Sequence, residues 1–194
     1  MTVAFDAATH TYTAGGIALP SVTQIIAGAG LMGDTSFWTD EARDRGTHVH
    51  TMVALADIGD LDEDTLDPAL RPFLDAYRWF QHDHSPKWSL IEAPRYSLTL
   101  RYAGTVDRAG FLQDGKHPTV LDVKSGQPAA HHGIQVSAYR RLLSEELGPI
   151  VNRAVLHLGA DGTYRLTKLP LDDREDWAVF AAALTIESWK RARI

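Results

Sequence analysis

Asp107, Asp122 and Lys124 are the residues of this chain whose types and spacing could together do phosphate chemistry. The first closes Gly104-Thr-Val-Asp107; the others lie in Leu121-Asp122-Val-Lys124. Side chains two apart on a β-strand leave by the same face. Asp122 and Lys124 therefore project together, while Leu121 and Val123 face a core. A second carboxylate on a neighbouring strand, Asp107, would complete a cradle for a divalent cation beside a scissile phosphate. Hard cations such as Mg²⁺ take carboxylate oxygens and water, and Mn²⁺ accepts an imidazole as well. The backbone carbonyl of Val123, between the two functional side chains, could add a ligand. Bound metal supplies Lewis acidity and a lowered water pKa. Lys124 could orient or deprotonate the attacking water, or stabilise the pentacovalent phosphorus. The same Asp-x-Lys pattern also describes a surface strand with a salt bridge.

Further residues would have to converge on that centre. Gln135 and Tyr139, four apart, share one face of a helix, and a helix following the Asp122 strand could set both beside Lys124. In Arg45-Gly46-Thr-His48-Val-His50 the two histidines lie about 200° apart on a helix, so only one can face the site. Gly46, one turn before His50, would allow close approach. The supporting elements follow from pattern. Phe5 to Leu19 reads as a β-hairpin turning at Ala14-Gly15-Gly16. Ser21 caps a short helix. Helices are expected from Thr39 to Asp57, from Asp67-Pro68 or Arg71-Pro72 to His82, and from Pro128 to Leu147. An acidic loop from Asp57 to Asp64 separates the first two of these. Strands are expected at Ser89–Leu100, Tyr102–Leu112 and Thr119–Lys124, and at Asn152–Leu158 and Thr163–Leu169 around the turn Ala160-Asp161-Gly162. A last helix starts near Asp173, with Asp172 and Glu175 spaced as a capping box. This is an α/β chain with a central mixed sheet flanked by helices.

The 194 residues, 44% hydrophobic, are enough for one domain with a sizeable core. Within it, 1–30 holds the hairpin and short helix, 39–170 a catalytic core, and 172–194 a C-terminal helix. No apolar run approaches the roughly 20 residues of a membrane helix, and the N-terminus lacks a signal peptide's basic start. With no cysteine, the expectation is a cytoplasmic protein, without thiolate zinc, an iron–sulfur cluster or a cysteine nucleophile. The net charge of −6 argues at first against a nucleic-acid partner. Its distribution argues otherwise: the segment from Arg95 to Arg141 carries +4 and the remainder −10. Arg95, Arg101, Arg108, Arg140 and Arg141 are the expected phosphate contacts. His48-x-His50, His82-x-His84 and His131-His132 lack the spacing of a zinc signature. They are assigned mostly to the surface, with His131 and His132 near phosphates. Trp38, Trp79 and Trp88 could stack on bases, although core packing is the expected role of Trp79.

In the order Gly46–His50, Glu92, Gly104–Asp107, Asp122–Lys124 and Gln135–Tyr139, the chain resembles the PD-(D/E)XK nuclease superfamily. It is most similar to the RecB-type branch, which includes phage-type exonucleases. The resemblance covers roughly Phe5 to Leu143. It implies a restriction-endonuclease-like core and a metal-dependent DNA nuclease, by expectation an exonuclease of phage-type recombination. His50, Asp107, Asp122 and the Val123 carbonyl would bind Mg²⁺ or Mn²⁺, and Lys124 would be the catalytic lysine. Gln135 and Tyr139 would lie near DNA, single- or double-stranded. Glu92 would belong to the site or to the metal's surroundings, or be a surface carboxylate. The host would be a bacterial or phage-infected cell, and an annealing protein a plausible partner. Two other readings stand beside this one: a non-catalytic nucleic-acid-binding module on a nuclease scaffold, and an unrelated metal-dependent hydrolase of small phosphoesters.

Overall fold

A computed structural model describes residues 3–6, 11–33, 39–113, 115–148, 150 and 152–193. Trp38 lies outside the described residues. The N-terminal hairpin gains a strand: β1 (Val3–Asp6), β2 (Thr11–Ala14) and β3 (Ile17–Leu19) form an antiparallel sheet in that order. Gly15 and Gly16, with φ of 56° and 78°, make the β2–β3 turn that non-glycine residues resist. Helix α1 (Val22–Gly28) starts at a complete capping box between Ser21 and Gln24. Helix α2 (Asp40–Ile58) is capped by the Thr39 hydroxyl and stops at Gly59 in the left-handed region. A 3₁₀ turn over Pro68–Leu70 leads into α3 (Arg71–His84).

The main sheet holds β4 (Lys87–Ser97), β5 (Tyr102–Phe111), β6 (Thr119–Lys124), β7 (Asn152–Leu158) and β8 (Tyr164–Lys168), in that spatial order. Only β6 and β7 are parallel, and helix α4 (His131–Leu147) makes their crossover. It begins three residues later than proline placement suggests. Helix α5 (Arg174–Arg191) ends the chain. Its expected capping box does not form, because Asp172 Oδ1 accepts the N–H of Arg174 and its side chain pairs with the Arg174 guanidinium.

Strand alternation sorts the core into two layers. Leu121, Val123, Ala154 and Leu156 pack with α2 and α3 residues such as Val53, Phe73 and Tyr77. Val106, Val120 and Val155 pack with α1, α4 and α5 residues such as Ile25, Leu143 and Phe180. Each such side chain, fully buried, contributes about 1.5–3 kcal/mol. Asp122 and Lys124 share the parity of Val120 and so turn toward α4. Trp79, expected in the core, is 59% exposed. Among the described residues no helix is long and apolar enough to cross a membrane.

Candidate active site

The site forms where the ladder breaks. Strands β5 and β6 pair at Gly110↔Thr119, Ala109↔Val120 and Arg108↔Leu121, and stop there. The same register, continued, would oppose Asp107 to Asp122. Instead Asp107 Oδ2 accepts the backbone N–H of Val123 at 2.7 Å. On the other side β4 pairs β5 at Ile91↔Arg108 and Ala93↔Val106, which sets Glu92 opposite Asp107. Glu92 has φ of 43°, in the left-handed region that side chains other than glycine seldom adopt. Such strain persists where neighbours hold it, and Arg108 Nη1 donates to Glu92 Oε1 at 2.9 Å. Glu92, Asp107 and Asp122 therefore occupy one level across adjacent strands.

His50 reaches this level from α2. Its Nδ1 lies 3.4 Å from Glu92 Oε1 and 3.6 Å from Asp107 Oδ2. His48, on the other side of the helix, is exposed. Among the described residues, His50, Glu92 and Asp107 are the group of donors that could hold a metal ion, with one ligand atom from each within 4.8 Å of the others. His50 and Glu92 keep 27% and 31% exposure, so solvent reaches the cluster. The close approach expected at Gly46 is not tight: a Cβ there would lie 3.9 Å from Ser125 Oγ, an ordinary contact.

Asp122 is fully buried, and Lys124 Nζ approaches its Oδ2 to 2.8 Å. Lys124 is thus the partner of Oδ2, while Asp122 Oδ1 is buried with no hydrogen-bond partner. Burial pushes the Asp122 carboxyl up to about 6, with the Lys124 charge offsetting only part of the effect. Burial acts the other way on Lys124, but Asp122 and then Asp107 outweigh it and hold the ammonium above its ordinary range. His50 likewise resists the downward pull of burial, because Asp107 and Glu92 favour its cation.

A buried carboxylate oxygen without a partner, as Asp122 Oδ1 is, is costly. Such an oxygen, next to an imidazole–carboxylate cluster, fits a hard or borderline divalent cation. Around the expected His50 and Asp107, the geometry adds a carboxylate. Glu92 stands with His50 and Asp107, while Asp122 is turned to Lys124. Val123 contributes an N–H that fixes the Asp107 carboxylate.

Gln135 and Tyr139 meet each other, Gln135 Nε2 donating to Tyr139 Oη at 3.0 Å. Burial first, then Asp107 and Asp122, raise the Tyr139 hydroxyl well above its usual range, so this pair borders the carboxylates. The Tyr139 ring lies over Gly104, where a Cβ would come within 2.7 Å of its Cε1. Gly104 is thus required by a close approach across β5.

The arginines divide. Arg101 is exposed in the turn between β4 and β5. Arg95 is half-buried, with its Nη1 donating to Pro94 O. The expected phosphate contact at Arg108 is corrected: its side chain is fully buried and ion-paired with Asp57 at 2.6 Å and Glu92 at 2.9 Å. Arg140 and Arg141 are tied to α5 while keeping 23% and 39% side-chain exposure. Arg140 pairs with Asp173 at 3.3 Å, and Arg141 lies 4.9 Å over the Trp177 ring. Both fasten α4 to α5.

The histidine pair His131-His132, expected at the surface near phosphates, is buried, and burial first, then Lys124, depresses the basicity of both. Sequence reasoning missed Asp57, which ends α2 and also accepts the Tyr77 hydroxyl and Gln81. It missed His157 too, which the parallel register sets beside Lys124. Nothing local marks either residue; only the β6–β7 pairing would have found His157.

No protein-family model matches this chain, and no curated protein matches its sequence. Among solved structures it is similar to a crystal structure from Eubacterium rectale named "Putative exonuclease". The identity is 12%, the TM-score 0.57, and the likeness covers 90% of this chain and 80% of that one. A second structure, of the protein SSO0001, has 14% identity and a TM-score of 0.35 over 73% of this chain and 68% of that one. The first likeness extends the mixed α/β architecture to a known fold; the second is too distant to bear on it.

Proposed function

We propose that this chain is a metal-dependent deoxyribonuclease that hydrolyses phosphodiester bonds, as an exonuclease of the PD-(D/E)XK type. The observation that carries the reading is the level shared by Glu92, Asp107 and Asp122, with His50 closing on one side and Lys124 on the other. The "Putative exonuclease" likeness supports it at the level of fold. His50, Glu92 and Asp107 would hold Mg²⁺ or Mn²⁺, joined by Asp122 and the Val123 carbonyl. A bound cation supplies Lewis acidity and an activated water. Lys124, kept cationic by Asp122, orients the water or neutralises charge building on the phosphate. Arg108 holds Glu92 toward the cluster. Gln135 and Tyr139 wall the site on the α4 side, where the DNA strand would pass. A place in phage-type recombination, beside an annealing protein in the cytoplasm of a bacterial or phage-infected cell, rests on the sequence resemblance.

The test is digestion of linear DNA with Mn²⁺ or Mg²⁺, with and without EDTA. Lys124→Ala should lose about 10²–10³-fold in turnover while still binding DNA. Asp122→Asn should lose the response to metal. Parental rates in both variants would defeat the assignment. DNA binding with no hydrolysis under any metal would favour the non-catalytic module instead.

A further inference from the structure

Parallel strands joined by a helix open a crevice at their carboxyl ends, the usual place for ligands in such sheets. Lys124 stands at that end of β6, and His157 pairs with it in register on β7. On the far side of His157 lies a cavity of about 360 Å³. It is a partly open cleft bordered by the start of α4, by β7 and β8, and by the start of α5, and includes His132, His157, Arg165, Thr167 and Glu175 in its lining. His157 is 9% exposed, and both of its ring nitrogens are buried without a hydrogen-bond partner. A buried orphan of that kind needs a reason. The His132 ring is 5.4 Å away, its Nδ1 accepting the Ala129 N–H at 3.4 Å. Burial, then Lys124, holds His132 neutral at about 3, and burial also lowers His157. Both are therefore imidazoles that donate or accept rather than cations.

The rest of the lining has a division of labour. Helix α4 starts at His131 after Ala130, with no side-chain cap; the His132 N–H is taken by Ala129 O at 3.2 Å, and the rest of the first turn offers the positive end of a dipole. Arg165, exposed and paired in register with His157, adds a cation at the rim. Of the three acids in the lining, Asp176 pairs with the buried Arg153 at 2.7 Å and Asp172 with Arg174 at 2.6 Å, while Glu175 stands exposed at the rim with a charge opposite to that of Arg165. Val155 and Leu169 supply apolar surface. A bare phosphate would use only donors and a metal only lone pairs. This lining offers neutral donors and acceptors, apolar faces and a single cation, in a volume at the lower end of small-molecule sites.

We propose that the cavity binds one nucleotide of the substrate strand, next to the phosphate held at Lys124. Its base or sugar rests on the His132–His157 wall, and its phosphate turns to the first turn of α4 and Arg165. The inference builds on the nuclease reading and adds a subsite to it. Equilibrium dialysis in EDTA, which removes metal-bridged binding, tests it with 5′-dAMP, deoxyadenosine and inorganic phosphate as probes. The parent should bind dAMP more tightly than either fragment. His157→Gln and the surface change Arg165→Ala should each weaken dAMP about tenfold, and Arg165→Ala should leave deoxyadenosine unaffected. Melting temperatures verify folding, and Arg165→Ala keeps the test open if His157→Gln unfolds. No dAMP binding at millimolar concentration, unchanged affinity in both variants, or phosphate binding as tightly as dAMP would each overturn the subsite. The two ideas fail separately. DNA digestion without His157- or Arg165-dependent dAMP binding removes the subsite alone. Variant-sensitive dAMP binding without digestion removes the nuclease reading and keeps a nucleotide site.

Discussion

Protons and metal compete for the same atoms at the candidate centre. His50 is held above its ordinary value by Asp107 and Glu92, and Asp122 is raised to about 6 by burial. Each must be deprotonated to ligate. Mn²⁺ affinity should therefore rise with pH and fall by about tenfold per unit for each proton displaced below those values. Titrations followed by electron paramagnetic resonance from about pH 5 to 8 would measure it, and a flat profile would contradict the shared centre. The metal-free protein has its own dependence. The folded state holds the Asp122 proton more tightly than the unfolded chain, so this group lowers stability as pH rises from the ordinary carboxylate range to about 6. His50 acts in the opposite sense: its contribution is present below its unfolded value and is lost as pH rises through the raised folded one.

At the scale of elements, Arg108 is the joint between layers. It ties the end of α2 through Asp57, strand β4 through Glu92, and its own strand through the Asp107 carbonyl at 2.6 Å. Removing one partner of a buried pair leaves the other charge uncompensated. Arg108→Met should cost about 3–5 kcal/mol in urea unfolding. Asp57→Asn combined with Arg108→Met should recover part of that loss, since the orphaned carboxylate is then gone. A cost below about 1 kcal/mol would mean that the pair is not the joint described. Elements with local signals were legible beforehand: the Ser21 cap, the helix start near Thr39, and the strands expected at Tyr102–Leu112 and Thr119–Lys124. The role of Arg108 was not, because a strand residue's parity does not reveal which face carries an acidic partner from a distant helix.

For the whole molecule, the basic segment is less of a phosphate-binding face than its sum implies. Arg108 is buried against Asp57 and Glu92, and Arg140 and Arg141 are engaged by Asp173 and Trp177, while Arg101 stands in solvent. On the nuclease reading, the salt dependence of DNA binding should keep its slope in Arg140→Gln/Arg141→Gln. It should become shallower by about 1 in log–log units in Arg101→Ala. A slope change of about 2 in the double variant would restore those arginines as contacts.

The amino-acid order alone determined the sheet-and-helix alternation and singled out Asp107, Asp122, Lys124 and His50, because period-two strands, caps and same-face spacing are written within a few residues. Only the tertiary structure decided that Glu92, bent into a left-handed conformation, stands in the donor cluster while Asp122 turns to Lys124. It alone brought His157 to the wall of a cavity. Those outcomes depend on strand register and on contacts between elements far apart in the chain, and no local pattern encodes them.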